Sequence, residues 1–82
     1  MDAGVQMGLP RETAMLLATG TAEGAGAMLA RSGKPPADLR ADVCSPAGTT
    51  VQAVRELEES GMRGAFYRAV EAATNRAAEL GE

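Results

Sequence analysis

Histidine, tryptophan and isoleucine are missing from this 82-residue chain, and cysteine, phenylalanine and tyrosine occur once each. Without an imidazole nothing in the sequence can activate Cys44 as a nucleophile, so its thiol reads as a small filler beside a turn. A single cysteine cannot form an internal disulfide either, which fits a reducing, cytoplasmic setting. There is no Cys/His cluster with zinc-ligand spacing, and no GxGxxG or phosphate-binding loop for a nucleotide. The net charge is −3, with acids and bases interspersed, which gives nucleic acid or anionic lipid no basic patch to find. The N-terminus has no basic segment followed by an apolar core, so it does not read as a signal peptide. The longest weakly polar run, residues 13–30, contains Glu23. At a bilayer centre that carboxylate would cost roughly 2.5–3.5 kcal/mol, which argues against a membrane span.

Large apolar side chains are scarce too. Seven Leu, five Val and five Met stand beside seventeen Ala. Alanine favours helix but contributes little burial energy per residue. Cores of chains near this size rarely supply more than about 3–5 kcal/mol. With no disulfide to help, self-association is the expected source of stability.

What is present reads as helix throughout, and no strand alternation occurs. "MDAGVQMGL" resembles the closing turns of a helix that ends near Gly8. A second helix is expected with Pro10 in its first turn and Glu12 complementing its positive end. It should run to about Ser32, where Gly33 caps it and Pro35–Pro36 forbid continuation. Ala14, Leu17, Ala18, Ala25 and Met28 line one side of this helix, and Met15, Ala22, Gly26 and Leu29 another. A helix without a broad polar face is a buried one. Gly20, Gly24 and Gly26 each cost it about 1 kcal/mol against Ala, which makes sense only if another backbone packs close, and a second copy is the natural partner. Residues 35–43 form a short Pro-started helix anchored by Leu39 and Val43. A fourth helix carries the stripe Val51, Val54, Leu57 with Glu56, Glu58 and Glu59 outward, and Gly61 ends it. The fifth has the clearest period: Met62, Ala65, Phe66, Ala69, Val70, Ala73, Ala77 and Leu80. Arg68–Glu71 and Arg76–Glu79 can pair on its other side for about 0.2–0.5 kcal/mol each. The fold class is all-α.

One stretch interrupts this pattern: "CSPAGTTVQAV", residues 44–54. Its residues suit two uses. Ser45 or Thr49 can cap the helix that follows, with Pro46 in the turn and the hydroxyls satisfying orphan N–H groups. Alternatively, the outward-pointing N–H groups and the positive dipole can hold a carboxylate or phosphate, with Gly48 allowing close approach and Thr49 and Thr50 adding hydroxyls. Both uses draw on the same N–H groups.

The segment "PADLRADVCSPAGTTVQAVRELEESGMRGAFYRAVEAATNRAAELG" closely resembles the C-terminal signature of the pyrroline-5-carboxylate reductases. "DAGVQMGLPRETAMLLATGTAEGAGAML" upstream is similar to the same family, so the resemblance covers nearly the whole chain. DAGV, GLPR, SPxGTT, LEExG and VEAATNRAAELG stand in the family's order. The resemblance implies a helical domain that interleaves with its twin into an obligate homodimer. The bundle is formed by two chains, like the C-terminal domain of 6-phosphogluconate dehydrogenase, and in many members dimers assemble further, often into decamers. It implies that residues 1–82 are the dimerisation and substrate-binding domain, without the N-terminal Rossmann domain that binds NADPH or NADH in that family. It implies a substrate site at Ser45, Gly48, Thr49 and Thr50, where backbone N–H groups of Gly48, Thr49 and Thr50 hold the carboxylate of pyrroline-5-carboxylate. The Thr50 hydroxyl would lie near the ring nitrogen and act catalytically.

Three positions depart from that pattern. Relatives usually read SPGGTT where this chain has Ala47; if that position requires positive φ, Ala is strained there by about 1–2 kcal/mol. Some relatives have a Glu near the pocket where this chain has Gly33. The first helix starts abruptly at Met1, which reads as a truncated piece. The expectation is a domain inactive alone and without bound cofactor, from an enzyme that reduces pyrroline-5-carboxylate to proline. The alternative is a free-standing helical homodimeric interaction module without catalysis.

Overall fold

The computed structural model describes residues 1–81, and among them it contains five helices and no strand. These are α1 (Asp2–Gln6), α2 (Arg11–Ser32), α3 (Pro36–Val43), α4 (Thr49–Glu59) and α5 (Met62–Glu79). The all-α expectation is borne out. Among the described residues, no helix is long and apolar enough to cross a membrane. The chain divides into two compact units, Met1–Ala41 and Asp42–Glu82.

In the first unit a glycine turn folds α1 back onto the start of α2. Gly8 has φ 106°, its N–H donates to the Val5 carbonyl at 3.0 Å, and the Leu9 N–H reaches back to the Gly4 carbonyl at 3.0 Å. This paired closure satisfies carbonyls that a helix end otherwise leaves orphaned. Pro10 stands one place earlier than expected, at the N-cap of α2 with ψ 146°, and its carbonyl accepts the Ala14 N–H at 2.9 Å. Gly4 lets the two helices approach: a Cβ there would lie 3.3 Å from both Ala14 Cβ and Leu9 Cδ1. Ala14, 3 % exposed, is the one buried core residue among those described. At its far end α2 stops on Gly33 with φ 70°, and the Lys34 N–H donates to Ser32 Oγ at 3.2 Å. α3 then begins with the Pro35 carbonyl accepting the Asp38 N–H at 3.0 Å.

The second unit is a helical hairpin. Gly61, φ 78°, both follows the last turn of α4 and serves as the N-cap of α5. Its N–H donates to the Glu58 carbonyl at 3.2 Å, and its carbonyl accepts the Ala65 N–H at 3.0 Å. An L-residue would be strained at that φ, so glycine is what allows so short a link. Arg63 spans the corner, with Nε 2.8 Å and 3.1 Å from the two Glu58 carboxylate oxygens. That hydrogen bond, with the carboxylate charge, holds the Arg63 guanidinium above its ordinary value. On the outer face the Arg76–Glu79 pair forms at 3.0 Å. Arg68 instead runs back along its own helix: a Cβ on Gly64 would meet its guanidinium at 3.0 Å.

In the single chain α2 lies open, the cover expected of it being a second copy. Leu16 is 73 % exposed, and Met15, Leu17, Met28 and Leu29 are also exposed. Nothing lies within 4 Å of where a Cβ would stand on Gly20, Gly24 or Gly26. α5 is similarly open, with Phe66 62 % and Val70 64 % exposed. The apolar stripes read from the sequence therefore exist, but this chain by itself does not cover them. These five side chains of α2 are about half covered already, so at about 1.5–3 kcal/mol for a complete burial, covering the rest would contribute gross stabilisation on the order of 5 kcal/mol.

Candidate functional site

All the candidate residues fall in the second unit, around the start of α4. Ser45, Pro46, Ala47 and Gly48 form a four-residue turn closed by the Gly48 N–H donating to the Ser45 carbonyl at 3.0 Å. Proline at the second position and φ 57° at Ala47, the third, are the marks of a type II turn. Ala47 is the one non-glycine with positive φ among the described residues. Left-handed backbone costs an L-residue about 1–2 kcal/mol. The exposed hydrogen bond that closes the turn contributes only about 0.5–1.5 kcal/mol net, so strain and closure are of similar size.

Gly48 is extended, at φ −79° and ψ 170°, so its dihedrals would suit any residue. Space is what a side chain would lack: a Cβ would displace Ser45 Oγ and come within 3.1 Å of the Ser45 carbonyl oxygen. Glycine closes the turn here without that crowding.

The same geometry corrects the capping expectation. The N-cap of α4 is neither Ser45 nor Thr49 but Gly48, which has no side chain with which to cap. The Gly48 carbonyl accepts the Gln52 N–H at 3.3 Å and begins the helical ladder. The N–H groups of Thr49, Thr50 and Val51, in the first turn, have no acceptor within the helix by construction. The Gly48 N–H is already engaged by Ser45, so the donors free to face an anion begin at Thr49. Thr49 and Ser45 are exposed, while Gly48, Thr50 and Val51 are half-buried. No acidic residue lies in the first turn of α4, so the dipole end stays uncompensated, an arrangement that favours an anion.

Elsewhere the structure offers less chemistry. An open apolar groove of about 430 Å³ lies in the first unit, lined by Met1, Gly4, Leu9, Leu17 and neighbouring small residues. Among the described residues no group of three or more His, Cys, Asp or Glu could hold a metal ion. Cys44 is half-buried beside the turn. A dinucleotide needs a glycine-rich turn between a strand and a helix, whereas Gly20, Gly24 and Gly26 lie inside continuous α2. The described residues do not fit that cofactor. The sequence reading missed the Gly48 N-cap and the steric demand at Gly48, and the SPAG tetrapeptide was the signal for both.

The class these features define is an all-helical association domain, with apolar faces left open and one amide-rich helix start. Comparison with known proteins narrows it. The family described as pyrroline-5-carboxylate reductase dimerisation matches residues 1–80. A pyrroline-5-carboxylate reductase of Corynebacterium melassecola is 60 % identical over 82 residues, covering 100 % of this chain and 30 % of the relative. Pyrroline-5-carboxylate reductase 3 of Xenopus laevis is 50 % identical over 80 residues, covering 98 % of this chain and 29 % of the relative. Among solved structures, Plasmodium falciparum pyrroline carboxylate reductase with NADP bound superposes with a TM-score of 0.94 at 33 % identity, covering 99 % of this chain and 31 % of that one. The chain thus spans less than a third of the length of these relatives. It belongs to the pyrroline-5-carboxylate reductase dimerisation family.

Proposed function

We propose that residues 1–82 are the dimerisation and substrate-binding domain of a pyrroline-5-carboxylate reductase, which reduces 1-pyrroline-5-carboxylate to proline. Two copies interleave through α2 and α5, whose side chains are the large apolar groups that a single chain leaves open. The substrate carboxylate sits at the start of α4 on the N–H groups of Thr49 and Thr50, within the turn from Ser45 to Gly48. The hydroxyl of Thr50, a half-buried residue of the first turn, stands near the ring nitrogen as hydrogen-bond donor or proton source. The reductant is NADPH or NADH held by a Rossmann domain outside these residues, and the whole works in the cytoplasm as a homodimer or an assembly of dimers. The observation that carries this reading is family membership over residues 1–80, combined with a helix start capped by a glycine rather than by a side chain.

The test is a titration of the chain with L-proline, followed by amide resonances. Shifts centred on Thr49 and Thr50 support the reading. An unchanged spectrum in a dimeric sample favours the non-catalytic interaction module. Purified alone, the chain should show no oxidation of NADPH in the presence of pyrroline-5-carboxylate; turnover would contradict the proposed division of labour.

A further inference from the structure

The turn before α4 is built from residues that favour two different conformations. Pro46 holds φ near −65° and so suits the second position of both type I and type II turns. The two types share the closing bond from the fourth N–H to the first carbonyl, here Gly48 to Ser45 at 3.0 Å. They differ in the orientation of the central peptide, between Pro46 and Ala47. At the third position type II requires positive φ, whereas type I has φ near −90° and accepts most residues. Ala47, at φ 57°, is thus an L-residue in the form that disfavours it, with a relaxed form one peptide flip away. Neither end of the turn has to move, because the flip leaves the Ser45–Gly48 closure in place. Ala47 is exposed, and so are Ser45 and Pro46, so no packed side chain blocks the rotation.

We infer that the 45–48 turn is a two-state element in which the Pro46–Ala47 peptide flips between type II and type I, with Ala47 supplying the strain that populates type I. The flip reverses the direction of the Ala47 N–H immediately before the amide-rich start of α4, so the two states present different donor sets there. This concerns the turn itself and stands whether or not the carboxylate reading holds.

The test compares residues 1–82 with their Ala47→Gly variant, which adds no atom and removes the strain. Releasing an L-residue from left-handed backbone changes the balance about five- to thirtyfold, and the type I population should fall by that factor. Two NMR readouts report it. Type II places the Pro46 Hα close to the next amide proton, because ψ there is about +120°, and type I moves it away, at about −30°. The Pro46 Hα to residue 47 N–H cross-peak should therefore be weaker in the natural chain than in the variant. Relaxation dispersion at the amides of residues 47–49 should be present in the natural chain and flat in the variant. Ala47→Asn, which tolerates left-handed backbone better than Ala, should fall between them. Equal cross-peaks with flat dispersion in all three proteins would overturn the inference, and so would stronger exchange in Ala47→Gly.

Discussion

The same chemical change, alanine to glycine, should have opposite effects six residues apart. At Ala47 the backbone is left-handed, φ 57°. Glycine there removes strain of about 1–2 kcal/mol. It also enlarges the conformational freedom of the unfolded chain, which takes back about 0.4–1 kcal/mol. The balance is stabilisation of roughly 0.5–1 kcal/mol. Ala53 lies inside α4 and is exposed, so glycine there destabilises by about 1 kcal/mol through helix propensity alone. The two variants should therefore differ by about 1.5–2 kcal/mol. For a domain of this size 1 kcal/mol moves the melting midpoint by roughly 4–8 °C, which puts the two midpoints on the order of 10 °C apart, on either side of the parent. Thermal unfolding followed by circular dichroism reads this directly, at one fixed protomer concentration, since association makes the midpoint concentration-dependent. Two midpoints shifted in the same direction, or a less stable Ala47→Gly, would refute the left-handed assignment at Ala47.

Other expectations follow from the same geometry. Gly48→Ala should destabilise by about 1–3 kcal/mol through overpacking against the Ser45 hydroxyl and carbonyl; adding Ser45→Ala removes the hydroxyl and should recover part of the loss, measured by the same melts. A Cβ at Gly24 meets nothing in its own chain, yet Gly24→Leu should shift sedimentation from dimer toward monomer and lower the melting midpoint at fixed protomer concentration. A dimer of undiminished strength would show that α2 does not face the partner at Gly24. Arg63→Ala should hardly change the melting midpoint in physiological salt, because the pair is exposed and screened. Its pH behaviour has a definite sign. The guanidinium is raised by Glu58, so any stabilisation from its titration is complete below the ordinary arginine range and is lost only as pH climbs through the raised value. The difference between Arg63→Ala and parent should therefore not change from neutral to mildly alkaline pH.

Much of the local structure could be read in advance because short-range rules govern it. Gly33 and Gly61 end their helices in left-handed backbone, as the placement of glycine after an apolar period suggests. The periods of α4 and α5 gave the correct elements, and the SPAGTT interruption is the turn before α4. Sequence and structure differ where one local choice competes with another. Ser45 and Thr49 are both good caps by residue type, but the turn puts Gly48 in the cap position, and the Ser45 hydroxyl fills the space where a Cβ would stand. Pro10 moved by one residue for a similar reason, since its extended ψ belongs to a cap and not to a helical turn.

Spacing, backbone freedom and motifs kept in order are enough to identify the helices, most of their ends and the family. The sequence also indicates that the apolar stripes exceed what one small chain can shelter. Packing in three dimensions is what closes α1 against α2 at Gly4 and Ala14, puts Gly48 at the cap of α4 and holds Ala47 in left-handed backbone. Those outcomes depend on distances between residues that the linear order leaves open. A hydrogen bond, a steric limit and a backbone angle have to be met together in three dimensions before any one of them takes its value.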